Sequence, residues 1–294
     1  MQTSIRDLFR SKMAETLASR PDLAATLIPS FSPGCRRLTP GKGFLEALMQ
    51  DNVRVVYDPI SQVTSSGIVT EKKNKEEEET FSVDVIICAT GFCVSEAPPF
   101  PVLGRGGTSL ADRWRERPES YLSLGVDGFP NYLMMFGPNS AIGFGSLTKI
   151  LEAECDYVVK AVRKLQRDDY ASMEPKAERV KDFTEYVDAY FEGTVYTEQC
   201  RSWYQQDGRI VGLWPGSTLH ALEALRSPRW EDWVYEQVHE KGKKKNGLRW
   251  LGNGWSTTQT DGDPSWYINP DEVEMPFGEK PEDNPRYKTR PWSY

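Results

Sequence analysis

The sequence lacks a long apolar run. No stretch of about 18 consecutive apolar residues occurs, the length that a membrane-spanning helix requires. The amino-terminal residues MQTSIRDLFRSKMAETL carry charges through their apolar pattern, which indicates an amphipathic helix rather than a secretory signal. We therefore expect no membrane span and a cytoplasmic location.

Histidine and cysteine are also scarce. The two histidines, His220 and His239, and five cysteines without a C-x-x-C pair do not give the spacing of a zinc site or of a Cys–His nucleophile. The odd number and irregular spacing of the cysteines fit a reducing cytosol. Cys88 lies within an apolar run and is predicted to be a small core residue. No metal site is expected.

Positive charge is limited as well. The net charge is −7, and nucleic-acid binding requires clustered Lys and Arg to neutralise phosphates. The single basic cluster, KGKKK at 241–245, lies beside acidic sequence and is predicted to be a solvated loop. The composition therefore argues against nucleic acid as a partner.

The apolar residues that are present predict an α/β protein. Val85–Cys88 in DVIICATGF is typical of a buried parallel strand, and NYLMMFGPNS at 131–140 repeats that pattern before a helix at 147–170. A further strand is predicted at 52–58, and a strand or hairpin around GIVTEKK. The acidic run EEEE at 76–79 is predicted to be an exposed turn, and residues 174–193 a second long helix.

Small residues follow both apolar runs, at the end of a parallel strand where ligands bind. This placement predicts a cofactor site that includes Thr90, Gly91, Gly137, Pro138, Asn139 and Ser140. Ser140–Ser146 then lead into a helix whose N-terminus could receive a phosphate or an electron-rich ring edge. The alternative is a tight turn capped by Ser146 without a ligand.

Other candidate side chains are fewer. Trp203, in CRSWY, could stack on an anionic cofactor, or it could belong to an aromatic cluster that covers the core. His220 is predicted to be structural. No acid–base pair stands out among the carboxylates, and Glu152 and Glu154 are explained by solubility or capping.

Taken together, several segments resemble the C-terminal part of flavin-dependent monooxygenases of the Baeyer–Villiger type, in the style of fungal secondary metabolism. The resemblance spans roughly residues 10–255 and rests on the stretches GCRRLTPGKGFLEAL, DVIICATGF, PESYLSLGVDGFPNYLMMFGPNS, EAECDYVVKAVRKLQ, CRSWY and LWPGSTLHALEALRSPRWEDW.

The resemblance implies FAD and NADPH as cofactors and oxygen insertion next to the carbonyl of a polyketide- or terpenoid-like ketone. It implies an incomplete Rossmann-like sheet with a C-terminal helical layer. Residues 1–92 would be the remnant of an NADPH-binding domain, 93–255 the C-terminal part of the FAD and substrate domain, and 256–294 an irregular extension. It further implies that Trp203 lies on the nicotinamide side and that Ile142 and Phe144 face the substrate, Phe144 in place of an expected polar residue.

The sequence departs from the family at its most specific motifs. No G-x-G-x-x-G turn occurs, and the fingerprint F-x-G-x-x-x-H-x-x-x-W-P is missing. Binding of FAD and NADPH by this chain alone is therefore doubtful. Three hypotheses follow: a monooxygenase that requires its missing half or a partner chain, a redirected non-redox enzyme (cyclase, isomerase or dehydratase), or a non-catalytic scaffold. Exposed apolar faces would favour a homo-oligomer or a partner chain.

Overall fold

The structure is a computed structural model that describes residues 2–39, 41–71, 78–91, 97–143, 145–239, 246–260, 262–265 and 267–268. Its helices are α1 (Gln2–Thr16), α2 (Pro21–Leu27), α3 (Phe44–Leu48), α4 (Leu110–Arg113), α5 (Leu147–Arg167), α6 (Ala177–Phe191), α7 (Thr218–Arg226) and α8 (Thr257–Thr260). Its strands are β1 (Ile60–Thr64), β2 (Gly67–Glu71), β3 (Glu78–Ser82), β4 (Tyr170–Pro175), β5 (Gln205–Gln206), β6 (Arg209–Ile210) and β7 (Trp233–Gln237).

The main core forms where α5 packs against α7 and β4. Strand β4 pairs with β7 in antiparallel register. Helix α6 follows its predicted pattern, because its buried residues are the four apolar residues at helical spacing, Val180, Phe183, Val187 and Phe191. A smaller core forms around Leu110, Trp114, Val126 and Phe129.

The buried face of α5 differs from the prediction. Apolar spacing predicts a stripe through Leu147, Leu151, Cys155, Val158, Val159 and Val162. Leu147, Leu151 and Val158 are partly buried, but Cys155, Val159 and Val162 are exposed. The residues that face the core are Ile150, Glu154, Tyr157 and Ala161. The helix is thus rotated so that a carboxyl group enters the core, while Val158 packs at the edge of that core.

The predicted hairpin is present as an antiparallel sheet of order β1–β2–β3. A Cβ at Gly67 would lie 2.0 Å from the Phe81 carbonyl oxygen, so only glycine permits this close approach of β2 and β3. Glu78 and Glu79 of the predicted EEEE turn belong to β3. Residues 76 and 77 lie outside the described residues, as does KGKKK at 241–245.

The strand expected at 52–58 and the parallel strands expected at 85–88 and 132–136 are wrong. Among the described residues the strand ladders are antiparallel, and the one parallel pairing is a single bridge between Ala141 and Leu213. Val85 and Ile87 are 74% and 88% exposed. A strand is defined by ladder hydrogen bonds to its neighbours, and within the described residues no strand lies beside 85–88. The fold class is nevertheless confirmed as mixed α/β.

The cysteines also correct the prediction. Cys35 and Cys200 form a disulfide across a sequence separation of 165 residues, although their irregular spacing suggested reduced thiols. The same junction is strengthened by a hydrogen bond from the Ser32 N–H to Glu198 Oε2 at 2.7 Å. Cys88 is an exposed free cysteine rather than a core residue. The amino-terminal segment is therefore fastened to the loop after α6.

Arg117 and Asp188 form a partly buried ion pair between the loop after α4 and helix α6. The guanidinium is 9% exposed and donates two hydrogen bonds to the carboxylate, at 2.6 and 2.9 Å. We expect Arg117→Ala to lower the free energy of unfolding by about 2–3 kcal/mol, because it leaves Asp188 without its bidentate partner.

Arg115→Ala is the matched control for this variant, since Arg115 forms a solvent-exposed pair with Asp112. Its expected effect is below about 1 kcal/mol. Urea denaturation of both variants measures the difference, and equal losses would contradict the role given to Arg117.

Among the described residues, no helix has the length and apolar character needed to cross a membrane.

Candidate cofactor-facing site

The segment 137–140 is a tight turn that packs against the backbone of the 120–123 loop. A Cβ at Gly137 would lie 2.2 Å from the Ser123 carbonyl oxygen, so a larger residue cannot occupy this position without moving the backbone. Ser120 Oγ donates a hydrogen bond to the Pro138 carbonyl at 3.3 Å. Ser140 Oγ donates to the Gly137 carbonyl at 2.7 Å. The close approach to Gly137 is thus made by the protein's own backbone.

Asn139 joins this turn to the segment 210–213. It adopts a left-handed backbone conformation with φ 63°, which asparagine tolerates better than most residues. Its Nδ2 donates to the carbonyls of Ile210 and Leu213 at 3.0 and 3.2 Å. The N–H of Ala141 donates to Gly212 at 2.9 Å. The side-chain amide of Asn139 is therefore engaged inside the protein.

Trp203 lies on the outer side of the same segment. A Cβ at Gly212 would come within 3.1 Å of its indole ring. The ring is 46% exposed and contacts Tyr204 edge to face at 4.6 Å between centroids. The structure therefore brings Trp203 together with the 137–140 turn through Gly212 and leaves nearly half of the residue exposed.

Other predicted site residues do not join this cluster by any described contact. Thr90 and Gly91 are exposed, and a Cβ at Gly91 (φ 90°) would have no heavy atom within 4 Å. Ile142 is partly buried and packs against the main core. Phe144 lies outside the described residues. Ser146 caps α5 by accepting a hydrogen bond from the Lys149 N–H, as predicted.

Glu154 was missed as a functional candidate. Its side chain is fully buried, and Oε2 accepts a hydrogen bond from the Phe136 N–H at 2.8 Å. Burial raises the pKa of this carboxyl from 4.5 to about 7, although the hydrogen bond from Phe136 opposes the shift. The sequence signal was the position of Glu154, which is spaced four and three residues from the buried Ile150 and Tyr157.

His220 packs within the protein. Its Nδ1 accepts a hydrogen bond from Trp214 Nε1 at 3.0 Å, and its ring stacks against Tyr186. Among the described residues, no group of three His, Cys, Asp or Glu side chains is arranged to hold a metal ion.

The described residues do not by themselves fit FAD. The pyrophosphate of a dinucleotide binds to backbone N–H groups at a glycine-rich turn that opens a helix, and no G-x-G-x-x-G occurs in the sequence. The polar side chains of the 137–140 turn are used internally, by Ile210, Leu213 and Gly137. What the turn offers to a ligand is backbone and an apolar edge at Met135 and Phe136, both exposed.

Known proteins resemble this chain over most of its length. The FAD-binding monooxygenase tazF of Aspergillus terreus is 36% identical over 263 residues, which cover 87% of this chain and 45% of the relative. The FAD-binding monooxygenase moxY of Dothistroma septosporum is 34% identical over 276 residues, covering 88% and 42%. No protein-family model matches the chain.

Solved structures share the fold. An oxidized steroid monooxygenase bound to NADP matches with a TM-score of 0.66 and 25% identity, over 81% of this chain and 46% of that one. The OTEMO complex with FAD and NADP matches with a TM-score of 0.69 and 24% identity, over 80% and 44%.

The sequence relatives are FAD-binding monooxygenases, and the solved structures that share the fold are monooxygenases as well. The chain belongs to the FAD-binding monooxygenase family, and its fold is that of part of the Baeyer–Villiger enzymes. It spans less than half the length of the relatives and of the solved structures that it matches.

Proposed function

We propose that this chain acts as the FAD- and substrate-facing part of a Baeyer–Villiger monooxygenase of secondary metabolism. Polypeptide outside these 294 residues supplies the turns that hold the dinucleotide pyrophosphates. The family membership supports the reaction class. The absence of G-x-G-x-x-G from the sequence supports the proposal that the pyrophosphates are bound by polypeptide outside these residues.

The observation that carries this proposal is the segment 83–91. It is rich in apolar residues, exposed and outside any strand, with Val85 and Ile87 turned largely to solvent. The Val83 N–H donates to the Ser66 carbonyl at 3.2 Å, but residues 84–91 form no backbone hydrogen bond among the described residues, and such an apolar segment favours pairing with another strand. Because the relatives are more than twice as long as the matched region, the portion they contain beyond it is the occupant that we propose for this edge. A second copy of the chain is the alternative occupant.

Within this arrangement, Thr90, Gly91, Gly137, Pro138, Asn139, Ser140 and Trp203 border the cofactors, and Ile142 and Phe144 border the substrate. FAD and NADPH would supply the chemistry that inserts oxygen beside the carbonyl of a polyketide- or terpenoid-like ketone. This chain would contribute the shape of the pocket wall rather than polar contacts, because the polar side chains described at the turn are already hydrogen-bonded within the protein. Residues 1–92 would belong to the NADPH-binding domain, 93–255 to the FAD and substrate domain, and 256–294 to an extension.

The test is reconstitution. The 294-residue chain is purified alone, and also after co-expression with the portion of the Aspergillus terreus relative that it does not cover. We expect the chain alone to be colourless, and the complex to show flavin absorbance and to consume NADPH when a cyclic ketone is added. Sedimentation distinguishes the heteromeric complex from a homo-oligomer of the chain.

Ile87→Asp tests whether 83–91 is the docking edge, and Leu219→Asp, at an exposed position of α7, is its matched control. We expect Ile87→Asp to reduce co-purification about tenfold or more, because a charge cannot be buried without a partner, and Leu219→Asp to leave it unchanged. A colourless complex that converts an intermediate without oxygen would instead support the non-redox enzyme. A colourless complex without turnover would support the scaffold.

A further inference from the structure

Two consecutive residues of α5 each contact one of two consecutive residues at an exposed edge of the protein. Glu154 Oε2 accepts the hydrogen bond from the Phe136 N–H at 2.8 Å. Cys155 Sγ lies 3.0 Å from Met135 Sδ. The side chains of Met135 and Phe136 are themselves exposed. This pair, the 135–136 edge, immediately precedes the 137–140 turn.

Glu154 is an unusual choice for its position if packing is its only role. It is fully buried, and its Oε1 has no hydrogen-bond partner in the described structure. A buried carboxyl with one unpaired oxygen costs free energy that leucine or methionine would not cost at the same site. A carboxyl group at this position is therefore explained only if it has a role that an apolar side chain could not fulfil.

The backbone conformation of Phe136 indicates this role. Its φ is 60°, in the left-handed region that phenylalanine rarely adopts. Such a conformation persists only where its surroundings determine it. The Phe136 N–H points into the protein, and Glu154 is the acceptor that meets it there.

We propose that Glu154 is the positioning residue of the 135–136 edge: its carboxyl holds Phe136 in the left-handed conformation and so fixes the apolar surface beside the predicted cofactor turn. The inference deepens the proposed function, because that surface would be a wall of the same site. The hydrogen bond itself is a property of this chain and is tested without any cofactor.

The experiment measures amide hydrogen exchange at Phe136 in the full 294-residue chain. Glu154→Leu keeps an apolar side chain at the site but removes the acceptor, and we expect the Phe136 amide to exchange about tenfold faster or more. Glu154→Gln retains a side-chain oxygen that accepts the same hydrogen bond and should restore slow exchange. Glu152→Gln, on the exposed side of the same helix, is the matched control and should leave exchange unchanged.

Two results overturn the proposal: protection at Phe136 that survives Glu154→Leu, or exchange that is equally fast in the Leu and Gln variants. If Glu154→Leu unfolds the chain, the same question is answered in the Phe136→Gly background, since glycine adopts the left-handed conformation at no cost. There we expect Glu154→Leu to lower the Tm much less than in the wild-type background. An equal drop in both backgrounds would show that Glu154 acts only through packing.

Discussion

Raising the pH from about 5 to about 8 destabilises this protein, and Glu154→Gln removes most of that loss. The folded state raises the pKa of Glu154 from 4.5 to about 7 because the carboxyl is buried. Between these two values the folded chain keeps a proton that the unfolded chain has released, so stability falls as the pH rises. The loss is complete by about pH 8, one unit above the folded pKa, and reaches up to ~3 kcal/mol.

Urea denaturation across this pH range checks the prediction. The slope of the unfolding free energy against pH is the quantity to compare, because a constant offset in Glu154→Gln would report packing alone. Glu152→Gln, at an exposed position of the same helix, should follow the wild-type slope. Parallel curves for the wild type and Glu154→Gln would contradict the role of the buried carboxyl.

Loss of the Cys35–Cys200 disulfide is expected to cost about 4–5 kcal/mol, since the loop it closes spans 165 residues and the chain-entropy contribution grows with loop length. Cys35→Ser and Cys200→Ser should each lower the midpoint of denaturation, and reductant should bring the wild type to the same value. Peptide mapping without reductant should recover the cross-linked pair.

The exposed free cysteines supply the control for that experiment. Cys88→Ser and Cys155→Ser should change the free energy of unfolding by no more than about 0.5 kcal/mol, as surface substitutions do. If Cys35→Ser behaves like these two, the disulfide does not contribute in solution.

Local signals explain which elements could be predicted from the sequence. Helix α5 begins at the predicted serine cap, α6 buries its predicted residues, and the hairpin β1–β2 follows its turn. Each of these depends on residues within one or two turns of chain. The disulfide could not be predicted, because nothing in the spacing of Cys35 and Cys200 indicates that they meet.

The buried face of α5 and the strand at 85–88 required information from distant residues. Valines and a cysteine lie on one side of α5, so apolar spacing alone favours the wrong side. Glu154 enters the core because the N–H of Phe136, 18 residues earlier, meets it there. The 85–88 run has the composition of a strand, but ladder formation depends on a neighbour, which the described residues do not provide.

The candidate site was partly predictable for the same reason. The sequence indicated a tight turn at 137–140 and its glycine, and both are present. It could not indicate that the side chains of Asn139 and Ser140 would donate their hydrogen bonds to backbone carbonyls of the protein. The cofactor and substrate roles of the named residues stay predictions.

The exposure of the 83–91 segment also has a consequence for handling the protein. A run of β-favouring apolar residues such as 84–91, which forms no backbone hydrogen bond among the described residues, is a template for cross-β stacking between identical chains. Asp84 is the one charged side chain that interrupts VDVIICATG, and charges at such places limit self-association. Concentrated preparations of the isolated chain are therefore expected to precipitate through this segment, and Asp84→Asn should hasten that precipitation.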